Sequence, residues 1–292
     1  MENLVSNVVR LEFDEVESYV FPLDEAFGLE VMYEGIKFCF IINLSSTNKN
    51  LICCGSGAQQ RNRKSSKGIP ISPPFFDRWS WFKYFEESFI VYSDPIFFYD
   101  DKIRLGWYVG DKNQWYLETI SNIIKMIAIN QGIHFSDILC YGSSGGGFAS
   151  ICLGTLIKES HVLVNNAQFN IMNYYKSFTE DLLRVLQNEF QGASQSEILN
   201  GIDFRLNTID LFKKENYVPP IDYYINMKSD ADLTRHCLPF IEDIKELGCF
   251  NDELTVHFYN EEKDKPHLPL PINDSVELIK TFAKQYLYNN VD

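Results

Sequence analysis

The strongest chemical signal in the chain is Gly142-Ser143-Ser144-Gly145-Gly146, a G-x-S-x-G centred on Ser144. A serine hydroxyl is a poor nucleophile at neutral pH. It becomes a good one when an imidazole takes its proton, a carboxylate orients the imidazole, and N–H groups receive the charge on the attacked carbonyl. The flanks supply the required context. Ile138 to Tyr141 reads as a buried strand and Phe148 to Ile157 as an apolar helix, so Ser144 falls on the sharp turn between them. Positions two before and two after such a serine tolerate almost no side chain, and here they are Gly142 and Gly146. The hydroxyl stands proud of the sheet at a helix N-terminus, where free N–H groups favour a developing negative charge. Other glycine-rich turns fit poorly. A phosphate-binding loop needs Gly-Lys-Ser/Thr, and no lysine follows; a dinucleotide fingerprint needs a glycine two residues after Gly142, and Ser144 stands there.

The base must come from five histidines. His257 lies inside a strand pattern, and His134 and His161 sit at the wrong end of the sheet. His267 follows the last strand, between Pro266 and Pro269. The order serine, acid, histidine makes it the expected base, with His236, near a helix start, as the alternate. The acid should follow the penultimate strand, Ile221 to Met227. Asp230 is the expected residue there and Asp232 the alternate, and either could instead cap the next helix. For the oxyanion, one N–H is expected from Gly145. The other is expected from the loop after the strand Leu51 to Cys54, where Gly57-Ala58 is placed to offer the Ala58 N–H, with Gly57 a candidate substrate contact.

These residues need a scaffold that brings strand ends together. Strands and helices alternate through the middle of the chain, which predicts an α/β fold with a mostly parallel sheet and helices on both faces. Glu34-Gly35 reads as a hairpin turn between two early strands. Residues 169–217 depart from the alternation. An amphipathic helix over Ser177 to Phe190 is followed by a break and by Ser194-Gln-Ser-Glu197, a capping box. This stretch is read as a helical lid inserted in a single domain spanning 1–292.

A formal charge of −14 excludes a general nucleic-acid binder. No apolar run is long enough to span a membrane, and the N-terminus shows no secretory pattern. Seven cysteines without metal-ligand spacing read as reduced thiols in a cytoplasmic protein, and no metal is expected. Residues 59–68 form a basic loop in this acidic chain. Arg61, Arg63, Lys64 and Lys67 read either as a solvated loop or as a patch for an anionic acyl donor. Trp79, Trp81, Trp107 and Trp115 fit core packing or sugar stacking, and Trp107 is a candidate substrate contact.

In the order Ser144, Asp230, His267 the chain resembles the α/β-hydrolase fold superfamily. A narrower resemblance rests on Pro73-Pro-Phe-Phe-Asp-Arg-Trp-Ser-Trp81, Tyr92-Ser-Asp-Pro95, Leu105-Gly-Trp-Tyr-Val-Gly-Asp111, Tyr141-Gly-Ser-Ser-Gly-Gly-Gly-Phe148 and Pro266-His-Leu-Pro269. These stretches resemble bacterial polysaccharide O-acetyltransferases of capsule or surface-glycan machinery and accessory-secretion proteins that acetylate glycans. Asn165-Asn-Ala-Gln168 departs from the Asn-Pro-Gln expected there. The resemblance implies acetyl transfer from acetyl-CoA to a sugar hydroxyl through acetyl-Ser144. It also implies a glycan substrate and peripheral contact with membrane glycan-assembly machinery. An acetyl or carboxyl esterase would use the same residues. A non-catalytic component of a glycan-assembly or secretion complex would need none of them.

Overall fold

The computed structural model describes residues 1–61, 64, 68, 71–251, 253–262 and 264–287. Its strands are β1 Val8–Glu12, β2 Ala26–Tyr33, β3 Ile36–Asn43, β4 Leu51–Gly55, β5 Ser88–Tyr92, β6 Ile138–Ser143, β7 His161–Asn165, β8 Ile221–Asn226 and β9 Leu254–Tyr259. They form one sheet in the order β1-β2-β3-β5-β4-β6-β7-β8-β9. From β5 to β9 every neighbouring pair is parallel. β3 pairs antiparallel with both β2 and β5, and β1 adds a parallel edge to β2. Glu34 and Gly35, both at positive φ, close the β2–β3 hairpin as their types predict.

The central strands are legible because both their faces are covered. Every residue of β4, β5 and β6 is buried, which is why these segments read as unbroken apolar runs. On one face lie α1 Tyr116–Gln131 and α2 Ser144–Leu156, with Ile120, Ile124, Phe148 and Ile151 in the larger core. On the other lies α8 Ile272–Tyr286, whose Ile279 and Phe282 pack with Cys54, Val91 and Tyr141. Between β7 and β8 run α3 Lys176–Glu189, α4 Gln195–Gly201 and α5 Thr208–Glu215. α5 packs on α2 as a crossover helix, and Ser194 and Glu197 complete the capping box of α4. Among the described residues no helix is long and apolar enough to cross a membrane.

After β8 comes a short turn, α6 Asp230–Asp232, then a π-helical turn Leu233–Cys237 and α7 Leu238–Lys245. Pro239 accounts for the widened turn. It has no N–H to donate to the carbonyl four residues earlier, that of Arg235. The Asn173 side chain donates to that Arg235 carbonyl instead, at 3.2 Å.

The sheet order reverses at β4. The chain leaves β4 for β5 on one side and later returns as β6 on the other. Connections on either side therefore diverge, and a crevice opens at the carboxyl ends of β4 and β6. Ala58 and Ser144 both follow those ends.

Candidate active site

Ser144 opens α2 directly from β6 with φ +54, a left-handed conformation that costs a non-glycine residue. Its neighbours hold it there. A Cβ at Gly142 would lie 2.2 Å from the Gly146 carbonyl oxygen, and one at Gly146 would lie 2.6 Å from that of Gly55. Both positions thus admit only glycine, and the elbow is pressed against the end of β4. The Ser144 N–H donates to the Asn166 carbonyl at 3.2 Å, and the Gln168 N–H donates to the Ser144 carbonyl at 3.3 Å.

The Ser144 Oγ lies 2.8 Å from Nε2 of His267. The other ring nitrogen, Nδ1, lies 2.8 and 2.7 Å from the two carboxylate oxygens of Asp232. A proton on Nδ1 shared with this carboxylate leaves the Nε2 lone pair facing the hydroxyl, the arrangement a general base requires. Asp232 is buried and takes a further hydrogen bond from the Ser229 hydroxyl. Two asparagine amides pin the histidine loop. Asn166 Nδ2 reaches the carbonyls of Pro266, His267 and Leu268 at 3.3–3.4 Å. Asn226 Nδ2 donates to the Pro266 carbonyl at 3.2 Å.

Asp230, the expected acid, is exposed and does not touch the imidazole; Asp232, the alternate, does. Residues two apart on a helical turn point about 200° apart, so if one faces inward the other faces solvent. His236, the alternate base, does not reach Ser144 either. It is buried on the π-helical turn, neither ring nitrogen has a partner among the described residues, and burial pushes its pKa down to about 4.

No family model matches the sequence, and no curated relative does. Solved structures do match. The capsule O-acetyltransferase of Neisseria meningitidis serogroup A superposes with a TM-score of 0.60 at 15% identity, covering 87% of this chain and 96% of that one. One form of that enzyme, in complex with CoA, matches equally over 94% of its chain. An S-formylglutathione hydrolase from Agrobacterium tumefaciens gives 0.59 at 11% identity, covering 92% of this chain and 98% of the other. This is an α/β-hydrolase fold.

Within the α/β-hydrolase frame, the loop after β4 is held at nearly every N–H. Ser56 donates to the Tyr108 hydroxyl at 2.8 Å, Gly57 to the Asp77 carboxylate at 2.9 Å and Gln59 to the Arg104 carbonyl at 2.7 Å. The Ala58 N–H between them has no partner among the described residues, and neither does the Gly145 N–H in the first turn of α2. Gly57, expected to meet substrate, instead spends its N–H on Asp77. Next to Asp77, Arg78 donates to the Ser143 hydroxyl at 2.7 Å and to the Gly55 carbonyl at 3.4 Å, tying the ends of β4 and β6 together.

Other expected substrate contacts resolve differently. The Arg61 guanidinium donates to the carbonyls of Phe97, Asp100 and Asp101 and stacks on Phe75 and Phe97. It is a structural cation, because these carbonyls at the end of a short helical turn need a donor. Arg63 and Lys67 lie outside the described residues, and Lys64 is exposed. Trp107 is fully buried, so it cannot stack on a sugar; its indole N–H donates to the Gln168 side-chain oxygen. Gln168 then donates from Nε2 to the Ser144 Oγ at 3.2 Å. The Tyr174 hydroxyl lies 3.5 Å from Nε2 of His267, and burial pushes its pKa up to about 12, so it is neutral. Spacing gave no sign of Gln168, Tyr174, Asn166 or Asp77, since each comes from a loop brought in by the sheet.

Proposed function

We propose that this protein is a serine-dependent O-acyltransferase, and that its reaction is acetylation of a capsule or surface glycan with acetyl-CoA as donor. The observation that carries the reading is the continuous path from Asp232 through His267 to the Ser144 hydroxyl at a sheet switch point. The fold shared with a capsule O-acetyltransferase supports it. In the first half-reaction His267 takes the hydroxyl proton, the Ser144 Oγ bonds to the acetyl carbon, and the C–S bond breaks. His267 returns the proton to the departing thiolate. In the second, a sugar hydroxyl gives its proton to His267 and takes the acetyl group from Ser144. The Gly145 and Ala58 N–H groups receive the oxyanion in both. The helices of 169–217 act as a lid that limits water at the acyl-enzyme. The site works in the cytoplasm, in peripheral contact with membrane glycan-assembly machinery.

Esterase activity is the second reading, favoured by the comparable fold likeness to S-formylglutathione hydrolase. Incubation with labelled acetyl-CoA and capsule-type oligosaccharides, followed by mass spectrometry of the glycans, separates the two. Acetylated glycan from the wild type, and none from Ser144→Ala, is the expected result. Turnover of aryl esters with no glycan product would make the protein an esterase. Neither activity would leave a non-catalytic component of a glycan assembly.

A further inference from the structure

We infer that Gln168 is a catalytic residue, a fixed hydrogen-bond donor to the nucleophile, with Trp107 as its positioning residue; this rests on Ser144 being the nucleophile.

The direction of the amide follows from chemistry. An indole N–H can only donate, so the atom it meets on Gln168 must be the carbonyl oxygen. The amide nitrogen is therefore turned toward the Ser144 Oγ, at 3.2 Å. A free glutamine could present either end, and a carbonyl oxygen there would oppose negative charge on the serine. Gln168 and Trp107 are both fully buried, so the donor is shielded from water and acts at low dielectric. Trp107 is held at φ +50 and Tyr108 at +59, with the Tyr108 N–H on the buried Asp94 carboxylate at 2.8 Å. A strained backbone is thus maintained at the residue that orients the amide. The Gln168 main chain also grips the Ser144 carbonyl.

The donor leaves the serine competent. The Ser144 proton points to Nε2 of His267, the Gln168 amide occupies one lone pair of Oγ, and the second lone pair remains for attack. As His267 removes the proton and the Oγ–C bond forms, charge rises on Oγ and the amide bond to it strengthens. During deacylation the C–Oγ bond breaks, Oγ takes a proton back from His267, and the same amide stabilises the leaving oxygen. Gln168 itself gains and loses nothing.

The test is the rate at which a fluorophosphonate labels Ser144 in the full chain. In that step the Oγ–P bond forms, fluoride leaves, and the serine proton passes to His267. Wild type is expected to label at Ser144. Gln168→Met, of similar shape but without a donor, is expected to label about 10–100-fold more slowly as folded protein, with a melting temperature lowered because the buried Trp107 N–H loses its acceptor. Trp107→Phe, which lets the amide turn, should fall between them, and aryl-ester turnover should show the loss in kcat rather than KM. A purely structural glutamine would move the melting temperature and leave the labelling rate of folded protein alone. If Gln168→Met does not fold, Gln168→Glu and Trp107→Phe carry the comparison. Wild-type labelling rates in the folded variants overturn the role of Gln168 alone. Failure of the wild type to label overturns the nucleophile, and Gln168 with it.

Discussion

Asp230 and Asp232 differ by two positions, and only Asp232 serves His267. Asp232→Asn should keep the fold but place an N–H against Nδ1, favouring the wrong tautomer, and lower kcat by about 10³–10⁴-fold. Asp230→Asn, at an exposed carboxylate, should change kcat by less than about 2-fold, both variants being measured by aryl-ester turnover. The reverse ranking would move the acid back to Asp230. The serine was readable where the acid was not, for a steric reason. Glycines at 142 and 146 are demanded by backbone atoms 2.2 and 2.6 Å from a would-be Cβ, so the elbow leaves a mark in composition. The choice between two aspartates depends on which of them a short helical turn aims inward, and residue type alone does not fix that, since both are aspartates following the N-cap Ser229.

Among the elements, the π-helical turn at Leu233–Cys237 follows directly on Asp232 and buries His236. Burial lowers the His236 pKa from 6.5 to about 4, so the folded protein keeps this ring neutral. Between those values the unfolded chain takes up a proton that the folded chain does not, so stability is present above pH 6.5 and is lost as the pH falls toward 4. His236→Leu removes two unpartnered buried nitrogens. It should raise the unfolding free energy by about 1–3 kcal/mol at neutral pH, because no desolvated polar atom remains. It should also flatten the acid side of the stability curve, by about 2 kcal/mol near pH 5. Denaturant titrations of both proteins across this range check the slope; parallel curves would show that His236 does not titrate as described. Catalysis should survive the change, since His236 does not touch Ser144. Pro239 leaves a trace of this turn in the sequence, but the Asn173 amide that satisfies Arg235 comes from a distant loop. The buried strands were legible for the opposite reason: β4, β5 and β6 are covered on both faces, and their sequences show it.

At the scale of the molecule, the reversal of strand order at β4 brings the turn after β6, the loop after β4 and the loop after β9 to one crevice. Their alternation was readable from the sequence. The parts played by residues 73–81 and 104–110 were not, because Asp77, Arg78 and Trp107 act through contacts made only once the sheet is assembled. The seven cysteines are all free; six are buried, and burial pushes the thiols of Cys39, Cys54 and Cys140 up to about 12. Iodoacetamide on the native protein should therefore reach only Cys249, and reductant should leave the melting temperature unchanged. Labelling of the core cysteines without denaturant would contradict this packing. The most direct measurement on the central claim is acid-quenched peptide mass spectrometry after mixing with acetyl-CoA. The peptide holding Ser144 should gain one acetyl group, accumulate it in the absence of acceptor, and lose the signal in Ser144→Ala. Glycan acetylation with no acetyl ever on Ser144, or one that persists in Ser144→Ala, would contradict it.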